Sequence, residues 1–309
     1  MNNEGRIDKI AGIDLPHINP DNRLRKLLAA ALPNQNGSKI TTNLPSNYWD
    51  ASFFNLQQVK IFQEASEAEQ FAILQLTNRR LLEEAYFIEK AGVGYMAKMV
   101  LLAETIEERM LYGLFTADET IHLSHLSYFF PKPGLTNSKD PFLSLLTEVI
   151  QHSDKTVLLF VLQVVLEGWG LSHYRRLAKE CHHQSLAEVF HSFLQAEARH
   201  HSTGNILFNQ ISISPSSRAD IIDLLARFLF MVQVGPQNVL AAIEKIKGHL
   251  SRSQKIQILQ ELDTETHSRS RLQLLRSLMV GESVKSIVES LENQGAFQPL
   301  PAYQCINEI

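Results

Sequence analysis

From about residue 57 onward, apolar residues recur every three to four positions with polar residues between them, the period of amphipathic helices. The first long pattern runs to about Leu102. A second begins at Thr105-Ile106-Glu107-Glu108, a Thr-x-x-Glu capping box, and is stopped within FFPKPGLTNSKDP by Pro131, Pro133, Gly134 and Pro141. A third occupies about 154–181. A fourth starts at Ser185-Leu186-Ala187-Glu188, again read as a capping box, and runs to about 210. Further helical stretches follow SISPSS near 217–232, 236–247, 252–277 and 283–293. Strand signals are scarce, so the pattern predicts an all-α protein.

Residues 1–56 break this rhythm. They are rich in Asn, Pro and Ser, with one isolated helical patch at RLRKLLAAAL. They read as an irregular lead-in that packs on the body through Tyr48, Trp49, Phe53 and Phe54. The organisation expected is therefore this lead-in (1–56), a four-helix core (57–213), a helical extension (214–295) and a tail (296–309).

Composition narrows the class of protein but adds little to the fold. Of 309 residues, 44 % are apolar and 20 % charged, which is ordinary for a globular chain. A net charge of −4 gives no electrostatic case for nucleic acid or an anionic membrane. The expectation is that no apolar run approaches the 18 or so residues a spanning helix needs, and MNNEGRIDKI has no signal-peptide layout. Cys181 and Cys305 are too few and too far apart for a disulfide framework or a zinc motif. The expectation is a cytoplasmic protein with no membrane or nucleic-acid partner.

The chemistry lies in Glu-x-x-His. A single such pair is usually a solvated helix face, and the chain has four: Glu119/His122, Glu180/His183, Glu188/His191 and Glu197/His200. Only two have a further Glu 30 residues upstream, Glu89 before Glu119 and Glu167 before Glu197. The midpoints of these intervals, 104 and 182, fall at the turns the caps predict, which would level each upstream Glu with its pair across a helical hairpin. Residues at i and i+3 share a helix face. Two hairpins then present Glu89, Glu119, His122, Glu167, Glu197 and His200 to one interior, the ligand pattern of a di-metal bundle. Four buried carboxylates need compensation, which two divalent cations supply. Mixed carboxylate and imidazole donors suit iron or manganese. Glu83 and Glu84 compete with Glu89 for the first position, Glu84 lying 35 residues before Glu119. The face of Glu89 carries Leu82, Ala85, Tyr86, Val93, Met96 and Val100 and is the more apolar. Tyr86 and Tyr174, at −3 and +7 from Glu89 and Glu167, are placed to approach the metals, although a plain core role is open to both.

On these residues the stretch 75–210 resembles the ferritin-like di-iron carboxylate superfamily, which includes the ribonucleotide reductase small subunit, multicomponent monooxygenases, aldehyde-deformylating oxygenases and arylamine N-oxygenases. The resemblance implies a ferritin-like four-helix bundle with additional C-terminal helices. It also implies that Asp118, in ADETIH, orients His200 from outside the ligand set. Phe193 stands where N-oxygenases carry a third histidine, and Leu126 where the reductase subunit carries its radical tyrosine.

The function implied is a non-haem di-iron, or manganese/iron, oxidoreductase that activates O₂ to oxidise a small, largely apolar organic substrate. An apolar setting near Val93, Met96, Leu123, Val164 and Leu194 suits such a substrate. Gly168 and Gly170 leave space or flexibility beside Glu167. A ferredoxin-type electron donor is the family-level expectation, and a homodimer is compatible with the chain. The alternative is a metal-handling protein, a ferroxidase or iron store without an organic substrate. The nearly 100 residues beyond 210 and the lack of a rubredoxin-like cysteine site weigh against it.

Overall fold

In the computed structural model, residues 10–19, 21–33, 47–129 and 140–306 are described. Among them every regular element is helical and none is a strand. The helices are α1 (Arg23–Ala31), α2 (Lys60–Gln63), α3 (Glu67–Leu102), α4 (Ile106–Phe129), α5 (Pro141–His152) and α6 (Lys155–Val157), then α7 (Glu167–Glu180) and α8 (Gln184–Phe208). The C-terminal third adds α9 (Pro215–Gln233), α10 (Gln237–Lys247), α11 (Arg252–Glu261), α12 (Thr264–Leu278) and α13 (Lys285–Asn293). By internal packing the chain divides into two units, Met1–Leu44 with Glu83–Lys155, and Pro45–Leu82 with Thr156–Ile309.

Within the first unit, α4 starts as its capping chemistry predicts. Thr105 Oγ1 accepts from Glu108 N–H at 3.1 Å, and the Glu108 carboxylate accepts from Glu104 N–H and meets Lys155 Nζ at 2.8 Å. The stop segment expected at 130–139 lies outside the described residues. Pro141, read as a stop, instead opens α5: Asp140 caps it, accepting from Phe142 and Leu143 N–H, and Pro141 stands at N1, where its missing donor costs nothing. Leu143, Leu146, Val149 and Ile150 form its buried face. The other end is closed from α3, where Lys98 Nζ donates to the carbonyls of Ile150, Gln151 and Ser153.

One stripe of α3 holds the amino-terminal segment 10–17. Tyr86 Oη lies 2.9 Å from His17 Nε2, and Lys90 Nζ donates to the carbonyls of Ile13 and Leu15, both at 2.8 Å. Gly94 abuts the Ile10 backbone, where a Cβ would collide, and Ala11 is fully buried. Spacings of four place 86, 90 and 94 on one helix face.

The second unit is built on aromatic and aliphatic burial. Trp49 is 1 % exposed, donates Nε1–H to the Leu177 carbonyl at 3.1 Å, and packs on Phe53 and Phe190. Asn78 fixes this segment with four hydrogen bonds: Oδ1 accepts from Tyr48 and Trp49 N–H, and Nδ2 donates to the Trp49 and Leu74 carbonyls. A further core gathers Leu56, Val59, Ile73, Leu240, Ile243, Leu259 and Cys305.

Three helix readings are corrected here. The fourth long helix begins at Gln184, with His183 as its cap, Nδ1 accepting from Leu186 N–H at 3.3 Å; Ser185 and Glu188 are already inside the helix. The stretch 252–277 is two helices, broken where Asp263 takes a left-handed φ of 50°. Between α6 and α7, Leu158–Leu166 is wound as a π-helix, and Glu167 N–H bonds Leu162 O, five residues back. Contrary to the sequence reading, Lys155–Glu180 is by length and composition apolar enough to cross a membrane, with a mean hydropathy of 1.4 in its best 18-residue window; 56 % of that window is buried inside the fold, as in a core helix.

Candidate metal centre

The α3/α4 half of the site lies within the first unit. Glu89 in α3 and Glu119 and His122 in α4 are each at least 95 % buried. His122 Nδ1 lies 3.0 Å from Glu89 Oε2 and 3.7 Å from Glu119 Oε2. Gly92, one turn beyond Glu89, is what lets the Glu119 carboxylate in: a Cβ there would stand 2.7 Å from Oε2 and 2.8 Å from Cδ. Of the competing first ligands, Glu83 is buried and Glu84 half-buried, and the candidate metal-holding group contains Glu89.

The α7/α8 half lies within the second unit. Glu197 is 5 % exposed and His200 fully buried in α8, with His200 Nδ1 3.9 Å from Glu197 Oε2; Glu167, half-buried, follows the π-helix. In both halves the same imidazole atom, Nδ1, faces the carboxylate of its Glu-x-x-His partner. Separations of 3.7 and 3.9 Å exceed hydrogen-bond range. They fit two donor atoms each about 2.1 Å from one cation, which stand roughly 3–4 Å apart.

These six residues fall into two buried or half-buried groups that could each hold a metal ion: Glu89, Glu119, His122 and Glu197, and Glu119, Glu167 and His200. Within the first unit, the ligand atoms of Glu89, Glu119 and His122 lie within 4.8 Å of one another. Electrostatics point the same way. Burial holds the Glu119 carboxyl well above the usual range; the charge of Glu89, the hydrogen bond that the protonated Glu119 carboxyl donates to it and the charge of Asp118 push it further. Packed this closely without a cation, the carboxylates keep a proton between them; a divalent ion supplies the missing positive charge. The donors present therefore fit a metal.

The remaining candidates lie around these groups. Asp118 is half-buried beside Glu119. Tyr86, 1 % exposed, directs its hydroxyl to His17, and burial raises its pKa. Tyr174 stacks on Phe190 at 5.7 Å and meets Phe193 edge-on at 5.4 Å, inside an aromatic cluster. Met96, Leu126, Val164 and Phe193, each a turn or two along its helix from a candidate ligand, are buried, so the surroundings of the ligand faces are apolar. Val93, Leu123 and Leu194 are half-buried.

Sequence reasoning missed Gln163. It is fully buried in the π-helix, and its Nε2 donates to the His200 carbonyl at 2.7 Å. A lone Gln inside LLFVLQVVL was the available signal, because an apolar run admits a polar side chain only when it has partners. Of the two glycines flagged beside Glu167, Gly168 meets the His201 ring, and Gly170 faces open space. Compared with protein-family models, curated proteins and solved structures, the chain matches none.

Proposed function

We propose that the chain is a ferritin-like di-metal oxidoreductase, in which the two Glu/His groups bind two iron ions, or one iron and one manganese, and an organic substrate is oxidised at the expense of O₂. The observation that carries this reading is the pair of buried groups sharing Glu119, each combining carboxylates with one imidazole. Bound metal would supply the electrons that activate O₂. The protein's part is to hold four carboxylates and two imidazoles in a dry interior, where Glu119, common to both groups, can serve two ions. Four ionised glutamates balance two divalent cations, and the imidazoles remain neutral donors. The buried Met96, Leu126, Val164 and Phe193 keep water from the ligand faces and favour a small apolar substrate.

The test is elemental analysis of chelator-free protein supplied with iron, manganese and zinc, followed by O₂ uptake with apolar organic compounds. About two metal ions per chain, lost in Glu197→Ala and His200→Ala, are expected. O₂ uptake that tracks the loss of an organic substrate supports the oxidoreductase reading. Many more irons per chain, without turnover, would point to storage, and no metal after anaerobic iron(II) loading would end the proposal.

A further inference from the structure

The π-helix, α7 and α8 meet along a seam that is notched on both sides. On α8, Gly204 lies one turn past His200, and a Cβ there would stand 2.7 Å from Gln163 Cγ and 2.8 Å from its Cβ. The missing side chain is what admits Gln163, whose Nε2 then reaches the His200 carbonyl at 2.7 Å. On α7, Gly168 forms the matching notch. A Cβ there would stand 2.8 Å from His201 Cε1 and 2.9 Å from Nδ1.

His201 completes the pairing in the opposite direction. Its Nδ1 lies 3.2 Å from the Gln163 carbonyl, and its Nε2 3.0 Å from Asn205 Nδ2. A carbonyl only accepts, so Nδ1 carries the proton and Nε2 accepts from the Asn205 amide. Two hydrogen bonds thus run in opposite senses across the seam, each beside a glycine that gives it room. They flank His200 and lie within five residues of Glu167.

We infer that Gln163 is a positioning residue for metal binding, with His201, Gly168 and Gly204 as its counterparts: together they fix the register of α8 against the π-helix, so that Glu167 and His200 stand in binding position before any ion arrives. The inference rests on the di-metal reading above. Neither Gln163 nor His201 is assigned as a ligand. Each acts through the backbone or packing of a neighbouring ligand residue, as outer groups around metal sites do. The π-helix contributes because Glu167 N–H is bonded to Leu162 O, which ties the start of α7 to the turn that carries Gln163. A site ordered in advance binds metal more tightly, because the ordering cost is met on folding.

Two substitutions from opposite sides of the seam test this. Gln163→Met keeps the length of the side chain and removes its donor. Gly204→Ala keeps Gln163 and pushes it out of the notch. Cobalt(II) serves as the probe, titrated into full-length apo protein, with the visible ligand-field spectrum and circular dichroism recorded. Both variants are expected to keep wild-type helix content, to bind cobalt about 10- to 100-fold more weakly, and to show the same altered spectrum. Asn78→Ala, which loosens the same unit elsewhere, is the control and keeps the wild-type spectrum. Wild-type affinity and spectrum in Gln163→Met or in Gly204→Ala would overturn the positioning role and leave the metal site standing. Wild-type protein that binds neither cobalt nor iron would overturn both.

Discussion

Gly92→Ala separates the demands of the helix from those of the metal. Gly92 lies inside α3, far from either end, where alanine is intrinsically favoured by about 1 kcal/mol. The new Cβ would stand 2.7 Å from Glu119 Oε2, 2.8 Å from Cδ and 3.3 Å from Cγ. Ordinary contact needs about 3.5 Å, so the carboxylate must retreat by about 0.8 Å. It is the far end of a flexible side chain, and an off-rotamer shift of that size costs about 0.5–1.5 kcal/mol. In the metal-free protein the two effects nearly cancel, and the midpoint of thermal unfolding should move by no more than about 2 °C. With metal the outcome differs. Coordination distances tolerate only about 0.2 Å, and a Glu119 displaced by 0.8 Å is lost to both groups at once. Affinity should fall at least tenfold, about 1.4 kcal/mol. The assay pairs calorimetric unfolding in chelator with competitive metal titration. Unchanged metal affinity would refute Glu119 as a ligand. A chelated protein destabilised well beyond 1 kcal/mol would show that the carboxylate is fixed for a reason other than metal.

Two further outcomes follow from groups away from the ligands. Asn78→Ala takes their partner from three buried backbone groups, the Tyr48 and Trp49 N–H and the Trp49 carbonyl, while the Leu74 carbonyl keeps the Thr77 hydroxyl, and should cost about 2–4 kcal/mol; thermal unfolding would show it, together with red-shifted emission from Trp49, and an unchanged melting point would refute the fastening role. Burial, with the charges of Arg271 and Arg176, holds His173 at about 4, below its usual 6.5. The unfolded chain therefore takes up a proton that the folded chain refuses, so this contribution is whole above pH 6.5, declines as the pH falls to 4 by at most about 3 kcal/mol, and is constant below. Denaturant titrations at pH 7 and 4.5 should show a smaller pH difference in His173→Asn than in the native chain, and an equal difference would refute the assignment.

What could be read from the sequence was what local periodicity encodes. Glu119/His122 and Glu197/His200 declare themselves because three residues make one helix face, and Thr105 marks a helix start because its chemistry acts within a single turn. The helix α5 was equally local and was hidden by its own start signal: Asp140-Pro141 reads as a cap followed by an N1 proline once the prolines before it are not taken as one continuous break. Other features had no local trace. Whether Leu158–Leu166 winds as α or π is a choice of hydrogen-bond register that the same apolar residues permit either way. Gln163 acquires its role from partners 37 and 38 positions away, and Gly92 and Gly204 matter for what approaches them across a helix contact. A glycine in a sequence does not say which side chain needs its space.

The anchoring of the amino-terminal segment has a consequence for how the chain is made. Ile13 and Leu15 leave the ribosome 77 and 75 residues before Lys90, the side chain that binds their carbonyls. Synthesis proceeds at about 5–20 residues per second, so for several seconds these carbonyls and the Ala11 side chain have nothing to dock on. The segment cannot act as a nucleus for the helices that follow it. Its native contacts form no earlier than the emergence of α3 through Gly94, although its own residues are made first.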